Sequence, residues 1–109
     1  MDKTEQNDTG KYELFHSSGD YFWTALRYDH GCTAEDVRNA LSSGKYELVQ
    51  TFQRSLHDVE QELEETFRES QNIDYSWRSI GPCRSTSVGD VIRVGEDYWI
   101  VAPVGFDCM

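Results

Sequence analysis

Residues 84–106, RSTSVGDVIRVGEDYWIVAPVGF, decide how this chain is read. Val91, Ile92 and Val94 precede Gly95-Glu96-Asp97, and Tyr98-Trp99-Ile100-Val101 follows. Two runs of β-branched and aromatic residues around a three-residue loop containing glycine predict a β-hairpin. Pro103 has no backbone N–H, so it ends the pairing or sits on a sheet edge. Gly105-Phe106 contributes one more core aromatic.

The hairpin decides what Ser85-Thr86-Ser87-Val88-Gly89-Asp90 can be. Hydroxyls and a glycine suggest a loop that cradles an anion. Such a loop needs a helix N-terminus behind it, with free N–H groups and a favourable dipole. Here a strand follows. The nucleotide-binding pattern also needs Gly-Lys-Ser/Thr, and no lysine lies nearby. The segment is therefore expected to be structural. Ser85 or Ser87 should bond backbone, and Gly89-Asp90 should turn the chain into Val91 with Gly89 in a conformation poor for a side chain.

Upstream, SLHDVEQELEETFRES (55–70) reads as a helix. Ser55 caps it and Asp58 completes a capping box. Leu56, Val59, Leu63 and Phe67 fall on one stripe, and Asp58, Glu62, Glu65 and Glu69 fall on a stripe nearly opposite. Glu64 and Arg68 form an i,i+4 pair. Between this helix and the hairpin, residues 71–83 read as a loop, with Gly81-Pro82 as a helix breaker and Ile73 and Trp77 tucked under the domain. Earlier, KYELVQTF (45–52) alternates like a strand. TAEDVRNALSSG (33–44) is a short helix with Thr33 as cap, Asp36 in the box and Gly44 as the stop. YELFH (12–16) and YFWTALRYD (21–29) read as a hairpin around SSGD. The shared tetrapeptide KYEL at 11–14 and 45–48 is too short to establish a repeat.

These pieces add up to one α+β domain, mainly an antiparallel sheet with two helices packed on one face, in the order β-β-α-β-α-β-β. Residues 1–9 form a flexible tail and 10–109 the domain. Leu56, Val59, Leu63, Phe67, Val91, Ile100 and Phe106 are the expected core. A chain of 109 residues with 13% aromatics can bury such a core.

The net charge of −10, from 20 acids against 10 bases, disfavours direct contact with a nucleic-acid backbone or an anionic membrane, since both need a basic surface. It suits a basic protein partner, and equally a host with a salty cytoplasm. No apolar run is long enough for a membrane helix, and the N-terminus has no apolar signal core. Cys32, Cys83 and Cys108 are an odd set without a C-x-x-C pair, which points to free thiols and a cytoplasmic setting.

Chemistry-bearing constellations are sparse. A Ser or Cys nucleophile needs a positioned base, and His16, His30 and His57 stand apart with no partner motif. His30-x-Cys32 could offer two zinc ligands, and a closed site needs four, which Cys83 and Cys108 could complete only if the fold happened to bring them there. No metal or cofactor is expected. The acidic stripe has two readings: a plain solvated face, or a docking surface that attracts a basic groove as a phosphate backbone would.

The C-terminal part resembles small uncharacterised proteins of phages, plasmids and archaeal mobile elements. The similarity runs through Asn72, Ile73, Asp74, Trp77, residues 84–91, Tyr98, Val101, Gly105 and Phe106. It also looks like the YodL-like domains, whose S-V-[GS]-D step leads into a strand. The resemblance implies a viral or mobile-element origin and no catalytic activity. On that basis the leading expectation is a non-enzymatic protein that binds a host protein with a basic surface through Asp58, Glu62, Glu65 and Glu69, in a setting such as anti-defence. The alternative is a small enzyme, or a ligand- or metal-binding domain, using His30, Cys32 and Cys83.

Overall fold

A computed structural model describes residues 9–71 and 85–109. The expected loop at 71–83, with Ile73, Trp77 and Cys83, falls almost wholly outside the described residues, as does the expected tail apart from Thr9. The sheet is organised around β1 (Thr9–Ser17). On one side β1 pairs antiparallel with β2 (Tyr46–Ser55), from Thr9↔Ser55 to Ser17↔Tyr46. On the other it pairs antiparallel with β3 (Val91–Val94), from Tyr12↔Val94 to Phe15↔Val91. The hairpin expected at residues 91–101 is present, with a loop one residue shorter than expected because Asp97 pairs with Val94: β3 pairs with β4 (Asp97–Val101), and β4 pairs in turn with β5 (Phe106–Cys108). Among the described residues the result is an antiparallel five-stranded sheet in the order β2-β1-β3-β4-β5. Gly95, at φ +64°, supplies the left-handed turn residue between β3 and β4.

Among the described residues three helices complete the α+β fold: α1 (Tyr21–Ala25), α2 (Ala34–Ser42) and α3 (Val59–Glu69). Thr33 and Asp36 form the expected reciprocal capping box. The start of α3 differs from its expected place. β2 runs on to Ser55, because that residue pairs with Thr9, so the cap moves to Asp58, whose carboxylate accepts from the Gln61 N–H at 3.3 Å.

The helices cover both faces of the sheet, where the sequence reading placed two on one face. Ile92 and Val94 join Tyr12, Leu14, Val49 and Leu63 in one apolar cluster, with Val59, Phe52, Trp99 and Phe106 against it. Val91, next to Ile92, belongs to a second cluster with Tyr28, Cys32, Val37 and Ile100. Neighbouring strand residues point to opposite faces, so α3 covers one face and α2 with the 26–34 segment covers the other. Within the expected core, Leu63, Val91 and Ile100 are fully buried, while Val59, Phe67 and Phe106 are half-buried. Leu56 is 39% exposed and lies over Gly10, because it precedes α3 rather than belonging to it.

The second expected strand, 21–29, is the helix α1 and the turns after it. Its aromatic content suggested β, but Phe22 N–H reaches back to Gly19 C=O at 3.3 Å and starts a helical turn. Packing then holds it: Ala25 is fully buried, with its backbone close against Gly89.

Candidate functional site

The junction at residues 85–90 is structural, as its lead into a strand implied. Asp90 is fully buried, and both carboxylate oxygens are occupied. Oδ1 accepts from the Ser17 N–H at 2.9 Å and the Ser17 hydroxyl at 3.3 Å, and Oδ2 accepts from the Ser87 N–H at 2.8 Å. His16 Nε2 lies 3.0 Å from Thr86 Oγ1 and 3.8 Å from Asp90 Oδ2, all of them buried. Gly89 sits at φ +90°, and a Cβ there would fall 2.1 Å from the Ala25 carbonyl oxygen. The Gly89 carbonyl accepts from the Tyr46 hydroxyl at 2.6 Å, and its N–H donates to Val101 C=O at 2.8 Å. The Ser87 hydroxyl donates to Ser85 C=O at 3.4 Å. This junction joins the ends of β1, β2, β3 and β4, and its polar groups are turned inward on one another.

The histidine and cysteine set does not converge among the described residues. His30 is exposed, whereas Cys32 is buried, with its Sγ 3.6 Å from the Tyr21 hydroxyl. A shallow hollow of about 330 Å³ touches Cys32 between Tyr28 and Ala34 and is not lined by His30. No group of three potential metal ligands occurs among the described residues; Cys83 lies outside them. Burial, then the hydrogen bond to Cys32, raises the Tyr21 pKa above its ordinary value. Burial and the hydroxyl's 2.7 Å bond to Asp107 do the same for Tyr28. The Cys108 thiol is pushed up by burial and by Asp97, which leaves less reactive thiolate at neutral pH.

The four stripe acids have separate local jobs. Asp58 caps α3. Glu62 and Glu69 flank the buried side of the helix and close on the same guanidinium, Arg54 of β2, at 3.6 and 2.7 Å. Glu65 pairs with Arg68 at 2.7 Å, so Arg68 turns to the i,i+3 acid rather than to Glu64 as the sequence suggested. The stripe is therefore not opposite the core: Arg54, also stacked 4.9 Å over the Phe52 ring, reaches up from the sheet between its members.

The free acids of α3 are Glu60 and Glu64, both exposed and without an ion pair among the described residues. Glu64 borders an apolar groove between α3 and the β4–β5 turn, and Glu60 a smaller hollow beside it. The groove encloses about 530 Å³, floored by Phe67, Val88, Val101, Ala102 and Phe106, with Glu64 and Arg68 on its lip. A smaller hollow of about 200 Å³ continues it past Glu60, Val104 and Gly105. Phe67 and Phe106 meet edge to face with centroids 6.5 Å apart, which fixes the floor. Val104, 91% exposed, stands at its end. Sequence reasoning assigned Phe67 and Phe106 to the core and missed the groove. Its one advance signal was the run Ala102-Pro103-Val104-Gly105, apolar residues in a turn, where polar ones are usual.

Compared with protein-family models, curated proteins and solved structures, the chain matches none.

Proposed function

We propose that this protein acts by binding another protein, and that the groove between α3 and the β4–β5 turn receives a basic, amphipathic segment of that partner. One observation carries the reading: an apolar groove of about 530 Å³ has Glu64 on its lip and Glu60 on the smaller hollow beside it, two carboxylates without an ion pair among the described residues, on a chain of net charge −10. Apolar anchors of the partner fill the floor, and lysine or arginine side chains meet the acidic lip. Long-range attraction speeds encounter, and desolvated anchors supply the affinity. The docking acids are thus Glu60 and Glu64, beside rather than within the Asp58, Glu62, Glu65 and Glu69 stripe, whose members already serve as cap or ion-pair partners. A non-enzymatic role follows from this reading. The choice of a host protein as partner, in the host cytoplasm, is supported by the motif resemblance to mobile-element proteins. Among the described residues no helix is long and apolar enough to cross a membrane.

Selection of a random peptide library on the folded chain tests the proposal. Peptides that pair Phe or Leu with Lys or Arg should be enriched. Their affinity should fall with added salt, because exposed charges are screened over about 8–10 Å, and should drop about tenfold in the double variant Glu60→Gln, Glu64→Gln. Equal affinity of parent and variant at low salt, or enrichment of peptides without positive charge, would refute it.

A further inference from the structure

We infer that the open edge of β2 pairs with β2 of a second copy of this chain, joining two five-stranded sheets into one. Among the described residues β2 is the terminal strand of the sheet, and its ten residues, 46–55, include no proline, glycine or lysine. Proline and lysine are ordinary protections of an exposed edge, and the protections that β2 does carry are a bulge and the charges of Glu47 and Arg54. The opposite edge, β5, is blunted by having only three residues. Leu48 on β2 is 43% exposed.

The strand's irregularity fixes the alignment. Leu14 pairs with Gln50 and Phe15 with Leu48, so Val49 is the extra residue of a bulge. Val49 and Gln50 together occupy one step of the strand. With that count, Glu47, Val49, Phe52 and Arg54 share the α3 face, and Tyr46, Leu48, Thr51 and Gln53 share the other. The cluster memberships agree: Val49 and Phe52 pack with Leu63, and Tyr46 packs with Val37.

An antiparallel pairing of two copies then has one register that is consistent in facing and complementary in charge. The two-fold axis passes through Thr51. Phe52 faces the Val49-Gln50 step of the second copy, Leu48 faces Gln53, and Glu47 faces Arg54. Glu47 is exposed and has no ion pair among the described residues. Arg54 already lies on the same face, between Glu62 and Glu69. The seam therefore extends the Val49–Phe52 apolar row from one copy to the next and brings opposite charges to each end. Such cross-strand pairs, with the ladder of backbone bonds, stabilise a sheet.

Sedimentation equilibrium over a wide concentration range tests the inference. The parent should approach twice the 12.6 kDa of one chain. Thr51→Lys sets like charges directly opposite at the axis and should leave a single chain. Glu47→Arg sets two guanidinium groups opposite each other and should raise the dissociation constant about tenfold or more. Glu47 is exposed, so Glu47→Arg leaves the fold intact, which far-UV circular dichroism checks, and this variant decides the matter if Thr51→Lys misfolds. A parent that stays a single chain at every concentration, or a Glu47→Arg variant that dimerises as the parent does, would overturn the inference.

Discussion

Two regions of this molecule are rich in acidic and hydroxyl side chains, and they use them in opposite ways. At the junction of residues 85–90, one carboxylate, Asp90, is fully buried and takes backbone and hydroxyl donors from two segments of the chain. Along α3, six residues from Asp58 to Glu69 are acidic, and most lie at the surface with one partner or none. The junction looks like a ligand loop in sequence, yet its donors and acceptors are used internally. The helix looks like an ordinary solvated surface, yet Glu60 and Glu64 keep their charge available beside an apolar groove. Availability for binding depends on which polar groups remain unpaired after folding, and residue type alone does not report that.

The largest test of this contrast is Gly89→Ala. A methyl group there meets the Ala25 backbone at 2.1 Å in a left-handed conformation, so α1 must move away from the junction. The expected loss is about 4 kcal/mol in urea unfolding, at the upper end for a single substitution. A loss below about 1 kcal/mol would show that α1 is not held against the junction. Next comes Asp90→Ala, which leaves the Ser17 and Ser87 N–H groups without their acceptor. Buried unsatisfied groups cost about 1–3 kcal/mol each, so a loss of roughly 3 kcal/mol is expected. Asp90→Asn keeps one acceptor oxygen and should fall between parent and alanine.

Alkaline titration probes buried polar contacts elsewhere. Burial raises the Tyr12, Tyr21 and Tyr28 hydroxyl pKa values above the ordinary 10.0. Above that pH the unfolded chain releases protons that the folded chain retains, so stability is complete below about pH 10 and falls as pH rises further. Tyr28→Phe should flatten this decline, and ultraviolet absorbance of tyrosinate followed with unfolding checks it. A tyrosinate signal from all the tyrosines near pH 10 in the folded protein would contradict it.

The smallest effects belong to the helix. Glu62→Gln with Glu69→Gln removes both carboxylates from the partly buried Arg54 and should cost about 1 kcal/mol or less. Glu60→Gln with Glu64→Gln should change stability by no more than about 0.5 kcal/mol. Thermal unfolding of the two double variants separates structural acids from available ones. A larger loss for the second pair would reverse the assignment.

Much of the fold was legible where a signal was local. Thr33 and Asp36 announce α2 through a capping box, and Gly95 announces the turn between β3 and β4. The failures came where distant parts of the chain decide. Ser55 has the chemistry of a helix cap, but its pairing with Thr9 keeps it in β2. Tyr21–Ala25 has β-favouring aromatics, but its place against Gly89 makes it a helix. One unused clue was Val91-Ile92. Adjacent apolar residues in a short strand mark a sheet covered on both faces, and both are fully buried, in different clusters. The groove was least legible, because Phe67 and Phe106 are core-like in type and only their half-burial reveals an opening.

The position of β1 at the inside of the sheet also bears on how the chain folds in time. Tyr12 meets Phe52 on one side and Val94 on the other, and the second partner is about twice as far along the chain. Closing the longer loop costs only about 0.6 kcal/mol more, but contacts between distant segments slow folding. β1 and β2 can form a ribbon early, with α3 returning over it. The other side of β1 then stays open until β3 arrives, and an open strand edge is the place where unfinished chains join one another. Dilution during refolding should therefore favour the native protein, and crowding at that stage should favour aggregates.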